Sequence, residues 1–214
     1  MVHHFLQFSA LLAGTATTFS LATPLLAGAI SNVTGIPQSP GLTLVILVVV
    51  CAIYTFSVYF GMKGVQLSAA TCTWLFFGLL AYVFFFGGQT RFIIEEGITA
   101  LGNMTQNFIG LSTWTDSLRT SSFPQTWTIF YWAYWMVWCV AVPFFIGSIS
   151  KGRTLRQVIL GGYVFGLSGT FTSFIIMGNY GLGLQMHGKL DLMGVYAKTG
   201  DLYQANISIF ETMP

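Results

Sequence analysis

The sequence predicts an all-α integral membrane protein with about five transmembrane helices and one amphipathic interfacial helix. Three observations predict it. Of the 214 residues, 54% are hydrophobic and only 7% are charged, where a soluble domain carries about 25% charged residues. Eight Lys/Arg and six Asp/Glu side chains cannot clothe a chain this long in water, so lipid must cover much of it. No Asp, Glu, Lys or Arg occurs before Lys63. The net charge of +2, without a long basic run, points to no nucleic-acid partner.

Spans are uncharged apolar runs of about 20 residues. Residues 5–30 and 42–60 form the first two, separated by residues 31–41, where Asn32, Gly35, Pro37 and Pro40 supply turn chemistry. Residues 67–88 form the third. Residues 91–109 read as an amphipathic helix, with Glu95 and Glu96 set among Phe92, Ile93, Ile94, Ile98 and Leu101. The fourth span covers 127–149 and the fifth 158–177. The chain thus divides into residues 1–90 with three spans, 91–125 with the amphipathic helix and an outer loop, 126–180 with two spans, and 181–214 as an outer-side tail without a sixth span. Thr15, Thr17 and Thr18 suit close helix packing in lipid. Pro24 and Pro143 are expected to kink their helices or free carbonyls.

Lys and Arg set the orientation. One loop carries Lys63, and another carries Lys151, Arg153 and Arg156 with no acid. Five single crossings place both loops on the same, cytoplasmic side, with the chain starting inside. The other side holds Arg91 and Arg119 against Glu95, Glu96 and Asp116. The basic loop also suits contact with anionic lipid. Cys51, Cys72 and Cys139 lie in apolar stretches without a CxxC pair and read as small packing residues. His3, His4 and His187 sit in polar ends without a second ligand at helical spacing, so no metal site is expected. A membrane enzyme needs titratable groups at depth, which the spans do not offer. No cleavable signal peptide is expected, because the N-terminus lacks a basic start and its apolar stretch is long.

The most informative segment runs from Phe123 to Trp138. At about 100° per residue, Trp127, Phe130, Tyr131, Tyr134, Trp135 and Trp138 fall on one helix face, and Trp132 lies off its centre. Three readings stay open. An interfacial aromatic belt explains Trp127, but Trp138 lies about 16 Å further along, near mid-bilayer. Helix packing is the second, although close packing in lipid favours small residues. The third is a box for a cation that has no N–H to donate. A trimethylammonium group gains little from a carboxylate that must itself be desolvated. Indole and phenol faces offer it negative quadrupole, worth about 2 kcal/mol each away from water.

At this segment the chain resembles the betaine/carnitine/choline transporter (BCCT) family, whose members carry a stretch very like Trp127-Thr-Ile-Phe-Tyr-Trp-Ala-Tyr-Trp135. A further aromatic residue at the Trp138 position and a short loop like Ile149-Ser-Lys-Gly-Arg-Thr154 come after it at the right separation. Weaker matches are Gly14-Thr-Ala-Thr-Thr-Phe-Ser-Leu21 and Lys63-Gly-Val-Gln-Leu-Ser68, so the resemblance covers nearly the whole chain. There are departures. Tyr134 stands where many members have Trp, Pro143 comes later than the family's Pro, and Ser148 replaces an Arg.

The resemblance implies part of an inverted-repeat (LeuT-like) fold. The chain resembles the fifth to ninth of twelve spans and is expected to be a fragment. Its first three spans would close one repeat, and its last two would open the next. It implies a secondary transporter, not an enzyme, working by alternating access in the cytoplasmic (inner) membrane. The solute would be glycine betaine, carnitine, choline or a relative, and family members often form trimers. Carried over residue by residue, the substrate box corresponds to Tyr134, Trp135 and Trp138, with Trp127 and Phe130 nearer the outer entrance. Thr15 matches one hydroxyl of a sodium site, but Leu11 stands where its partner would be. Cys72 stands where sodium-independent antiporters place an Arg, which favours sodium or proton coupling. No organic cofactor is implied. The alternative is a transport-inactive osmosensor or binding-only subunit of the same fold.

Overall fold

The structure is a computed structural model that describes residues 2–139 and 142–213. The described residues are helical nearly throughout. Helix α1 spans Val2–Thr34, α2 Pro40–Tyr59, α3 Gly61–Phe86, α4 Thr90–Gln106 and α5 Phe108–Thr113. After a loop, a π-helical turn, Pro124–Thr128, opens directly into α6, Ile129–Trp138, and α7 is Val142–Ile149. Helix α8, Leu155–Ser173, runs through a second π-helical turn, Phe174–Gly178, into α9, Asn179–Met186. Two short helices complete the described chain, α10 at Leu192–Thr199 and α11 at Leu202–Glu211.

Four of these stretches are long and apolar enough to cross a membrane: Ser9–Thr34 within α1, α2, α3, and the run Leu155–Met186. The stretch Pro124–Trp138 and helix α7, set at 55° to each other, make a fifth if the pair is one broken span. Pro143 has no N–H to offer the carbonyl four residues back, so the ladder cannot run unbroken through this stretch. Large apolar side chains such as Leu44, Val48, Ile53, Trp74 and Phe85 are exposed, as a lipid-facing surface requires.

The local chemistry of the helix ends is legible. Ser39 caps α2, accepting from Leu42 N–H at 3.2 Å, with Pro40 in the first turn. Thr154 and Gln157 form a reciprocal capping box at the start of α8: Gln157 Oε1 accepts from Thr154 N–H at 3.0 Å, and Thr154 Oγ1 accepts from Gln157 N–H at 3.3 Å. Asp191 and Asp201 cap α10 and α11, and Gly200, at φ 63°, closes α10.

Two expected boundaries move. The Lys63 loop is not a loop: α3 resumes at Gly61, φ 69°, directly after Phe60, and Lys63 lies in its first turn. The joint is tight because Gly64 sits over the Ser57 carbonyl, where a Cβ has no room, and Ser68 Oγ donates to Ser57 Oγ at 2.8 Å. The fifth span does not stop at 177, nor does the tail begin at 181, because the helix continues to Met186. Tertiary burial holds it: Tyr180 and Leu184 pack with Val83 and Ile93 in a buried hydrophobic cluster. Among the described residues, Cys51, Cys72 and Cys139 are unbridged and exposed rather than packed within this chain.

The chain forms two compact units, one of residues 1–20 with 100–168 and one of residues 21–99 with 169–214. In the second, the amphipathic helix α4 buries Ile93 and Gly97, with Gly97 set against Ile175, and keeps an exposed Arg91–Glu95 ion pair of 2.7 Å on its other side. Gly87 allows Tyr180 to lie against the end of α3, and Ile207 of α11 fills the space beside Gly28 of α1. Asn32 donates to Glu211 and ties the same two helices at their ends. The first unit holds the aromatic helix.

Candidate functional site

The loop that delivers the aromatic helix is built around one carboxylate. Asp116, buried, accepts from Thr120 N–H and Oγ1 at 3.1 and 2.9 Å, from Ser121 N–H and Oγ at 2.9 and 3.0 Å, and from Ser122 N–H at 2.9 Å. Desolvation pushes its pKa up, but the Ser121 and Thr120 donors outweigh that and hold the carboxyl at about 2. The wrap demands left-handed backbone at Asp116, Arg119 and Ser122, φ 46°, 53° and 54°. Gln125 Nε2 donates to the Thr115 carbonyl at 2.9 Å and fastens the loop to the π-helical turn. No sequence pattern signals this cradle, because its donors are backbone groups and hydroxyls gathered by turn geometry.

The π-helical turn changes the phase of the aromatic residues beyond it. Ile129 N–H bonds to the Pro124 carbonyl, five residues back, so Trp127 does not share the strict α-helical register of α6. The single six-residue face expected from uniform periodicity is divided: the turn moves Trp127, and within α6 the contacts with α1 set the half-buried rings apart from the exposed ones. Phe130, Tyr134 and Trp138 are half-buried, whereas Trp127, Tyr131 and Trp135 are exposed, Trp135 by 61%. Phe130 stacks on Tyr134 with centroids 5.9 Å apart, and Trp138 meets Tyr134 edge-on at 6.4 Å. Trp135 also packs its ring edge-on against Tyr134, at 6.0 Å, while Trp127 stacks on Tyr131 at 6.3 Å and Tyr131 meets Phe130 edge-on at 5.6 Å. Tyr134 is the hub of the group.

What turns this column inward is the early part of α1. Gly14 is buried, and the Trp138 indole occupies the space beside it: a Cβ there would lie 3.0 Å from Cε2 and 3.2 Å from Cζ2 and Nε1. The Trp138 N–H is buried without a hydrogen-bond partner among the described residues. One turn on, Thr18 Oγ1 and the Tyr134 hydroxyl are 2.8 Å apart. Gly14 and Thr18 stand at i and i+4, so one face of α1 touches both rings. Thr15, Thr17 and Thr18 return their hydroxyl protons to the carbonyls of Leu11, Ala13 and Gly14 at 2.8, 2.8 and 2.9 Å. Thr15 thus keeps oxygen lone pairs but has no second hydroxyl at residue 11.

The chemistry open to such a group is set by what it lacks. Between Arg119 and Lys151 the sequence has no Asp, Glu, Lys or Arg. Aromatic faces with no formal charge attract a poorly hydrated cation by quadrupole and by dispersion.

The sequence matches the family model described as "BCCT, betaine/carnitine/choline family transporter" over residues 3–214. The chain belongs to this family. BCCT members are multi-pass transporters of the inner membrane, not enzymes. Among curated relatives, a "Carnitine transporter" of Acinetobacter baumannii is 32% identical over 173 residues, 80% of this chain and 31% of its own length. A "Probable glycine betaine transporter" of Desulfitobacterium hafniense (strain Y51) is 32% identical over 210 residues, 88% of this chain and 41% of its own length. The chain therefore spans about a third to two-fifths of these BCCT relatives.

Proposed function

We propose that this chain is part of a secondary transporter that carries a small quaternary-ammonium solute across the cytoplasmic membrane by alternating access. Glycine betaine, carnitine, choline and close relatives make up the solute class. The supporting observation is the column Phe130–Tyr134–Trp138, set in a charge-free stretch and turned against α1 through Gly14 and Thr18. In this reading Tyr134, Trp135 and Trp138 hold the onium head, and Trp127 and Phe130 serve its approach from the outer side. Trp135, exposed in this chain, completes the box with a wall drawn from the remaining length of the family fold.

Energetics fit weak, reversible binding. Two or three desolvated aromatic faces at about 2 kcal/mol each, with some apolar burial, give micromolar to millimolar dissociation constants. A carrier must release its cargo, so that range suits transport. Coupling to sodium or protons drives accumulation, with Thr15 as a candidate ion contact. The names of the two relatives favour carnitine and glycine betaine within the class.

The test is uptake of labelled glycine betaine, carnitine and choline by proteoliposomes carrying the full-length protein, with and without a sodium gradient. Accumulation of at least one, competed by the others, is expected. Solute-dependent tryptophan quenching without accumulation would identify a binding-only protein instead. If no onium compound binds or accumulates, the proposal fails.

A further inference from the structure

We propose that Thr18 is a positioning residue for the solute box, spending the phenol proton of Tyr134 so that Tyr134 presents a ring face rather than a hydrogen-bond donor. The inference rests on the onium reading above and concerns how this chain's own box is set. A threonine hydroxyl has one proton. Thr18 gives that proton to the Gly14 carbonyl at 2.9 Å. The contact of 2.8 Å between Thr18 Oγ1 and the Tyr134 hydroxyl then has only one polarity left, with Tyr134 donating. The bonds run in one direction: Tyr134 O–H to Thr18 Oγ1, and Thr18 O–H to the Gly14 carbonyl.

This has two consequences for the site. The Tyr134 ring, which stacks on Phe130 and meets both Trp135 and Trp138, is held at its far end by α1, so its plane is fixed. Its one donor is also removed from the space a solute would enter. A permanently alkylated nitrogen wants a π face and has no use for a donor, whereas a solute oxygen that accepts hydrogen bonds can exploit a free phenol. Thr18 therefore leaves the ring face, and not the hydroxyl proton, as what Tyr134 offers the onium head. The same backbone carbonyl lies beside the Gly14 position that seats Trp138, so a single turn of α1 sets both rings.

The experiment is a double-mutant cycle in the full-length protein, read by proteoliposome uptake and, without solute, by thermal unfolding in detergent. Thr18→Val removes the hydroxyl while keeping the branched shape, Tyr134→Phe removes its partner, and Thr18→Ser restores the hydroxyl. The expected result is a KM for glycine betaine or carnitine raised about three- to tenfold in Thr18→Val and Tyr134→Phe. The effect should fall on KM more than on maximal rate, Thr18→Ser should recover the parent KM, and the double variant should be no worse than either single one. Additive KM effects in the double variant would overturn the proposal, as would a Thr18→Ser variant as impaired as Thr18→Val. Thermal coupling between the two positions with no change in KM would show a merely structural contact and overturn it while leaving the onium reading intact. Failure of the parent protein to bind or accumulate any onium would instead sink that reading, and this proposal with it.

Discussion

Replacing Gly14 by Ala tests the wall of the box without touching an aromatic residue. The new Cβ would sit 3.0 Å from Trp138 Cε2 and 3.2 Å from Cζ2 and Nε1, where carbon contacts settle at about 3.5–4.0 Å. The indole must yield by roughly 0.5 Å or more. Helix propensity favours Ala over Gly by about 1 kcal/mol, and a side chain pushed about 30° from its rotamer costs a similar 0.5–1.5 kcal/mol. The folded state should therefore be close to neutral, with a melting temperature within a few degrees of the parent. Solute binding has no such compensation. Losing half of a desolvated cation–π contact, about 1 kcal/mol, raises the dissociation constant about fivefold. Uptake KM and tryptophan-fluorescence titration in the full-length protein measure it. A KM within twofold of the parent, at unchanged stability, would refute the assignment of Trp138 to the solute wall.

Replacement of Trp135 or Trp138 by Leu, which keeps apolar bulk but loses the π face, should raise the KM for an onium solute by roughly tenfold or more, measured by the same uptake assay. Acid should open the Asp116 loop. Its carboxyl is held at about 2 in the folded chain, so its contribution is complete above the unfolded value near ~4 and is lost as pH falls from there toward about 2. Limited proteolysis of residues 114–123 should accelerate across that window and stay flat above it, and Asp116→Asn should already be more susceptible at neutral pH. Gln89 is buried, pressed against Gly183, and neither end of its carboxamide has a hydrogen-bond partner among the described residues. Gln89→Leu should stabilise the protein by about 1–3 kcal/mol in thermal unfolding, since the unpaired groups disappear. Gly183→Ala should destabilise it unless Gln89 is shortened as well.

Spans are legible in this sequence because lipid imposes a coarse, long-range rule: about 20 uncharged apolar residues or nothing. Residues 42–60 and α2 agree almost to the residue for that reason. Junctions depend on short-range geometry that composition does not carry. Lys63 looks like a loop residue by charge, yet Gly64 lets the two helices meet so closely that no loop remains. The continuation of α9 to Met186 is set by where Tyr180 and Leu184 are buried, a tertiary effect invisible to a polarity count. The aromatic segment is legible as a group but not in its division. A π-helical turn shifts Trp127, and contacts with Gly14 and Thr18, more than a hundred positions away in the chain, decide which rings turn inward. Asp116 is visible only as a charge, because its function is to gather backbone donors.

The joint at Phe60–Gly61 bears on how the protein reaches its membrane. Two apolar helices joined without a loop and tied by Ser57, Gly64 and Ser68 are expected to enter the bilayer as one hairpin, not as two independent segments. The first cation of the chain, Lys63, rides at the bend and resists translocation. Helix α1 carries no Lys or Arg, so within this chain the nearest cue to its direction is a lysine synthesised after it.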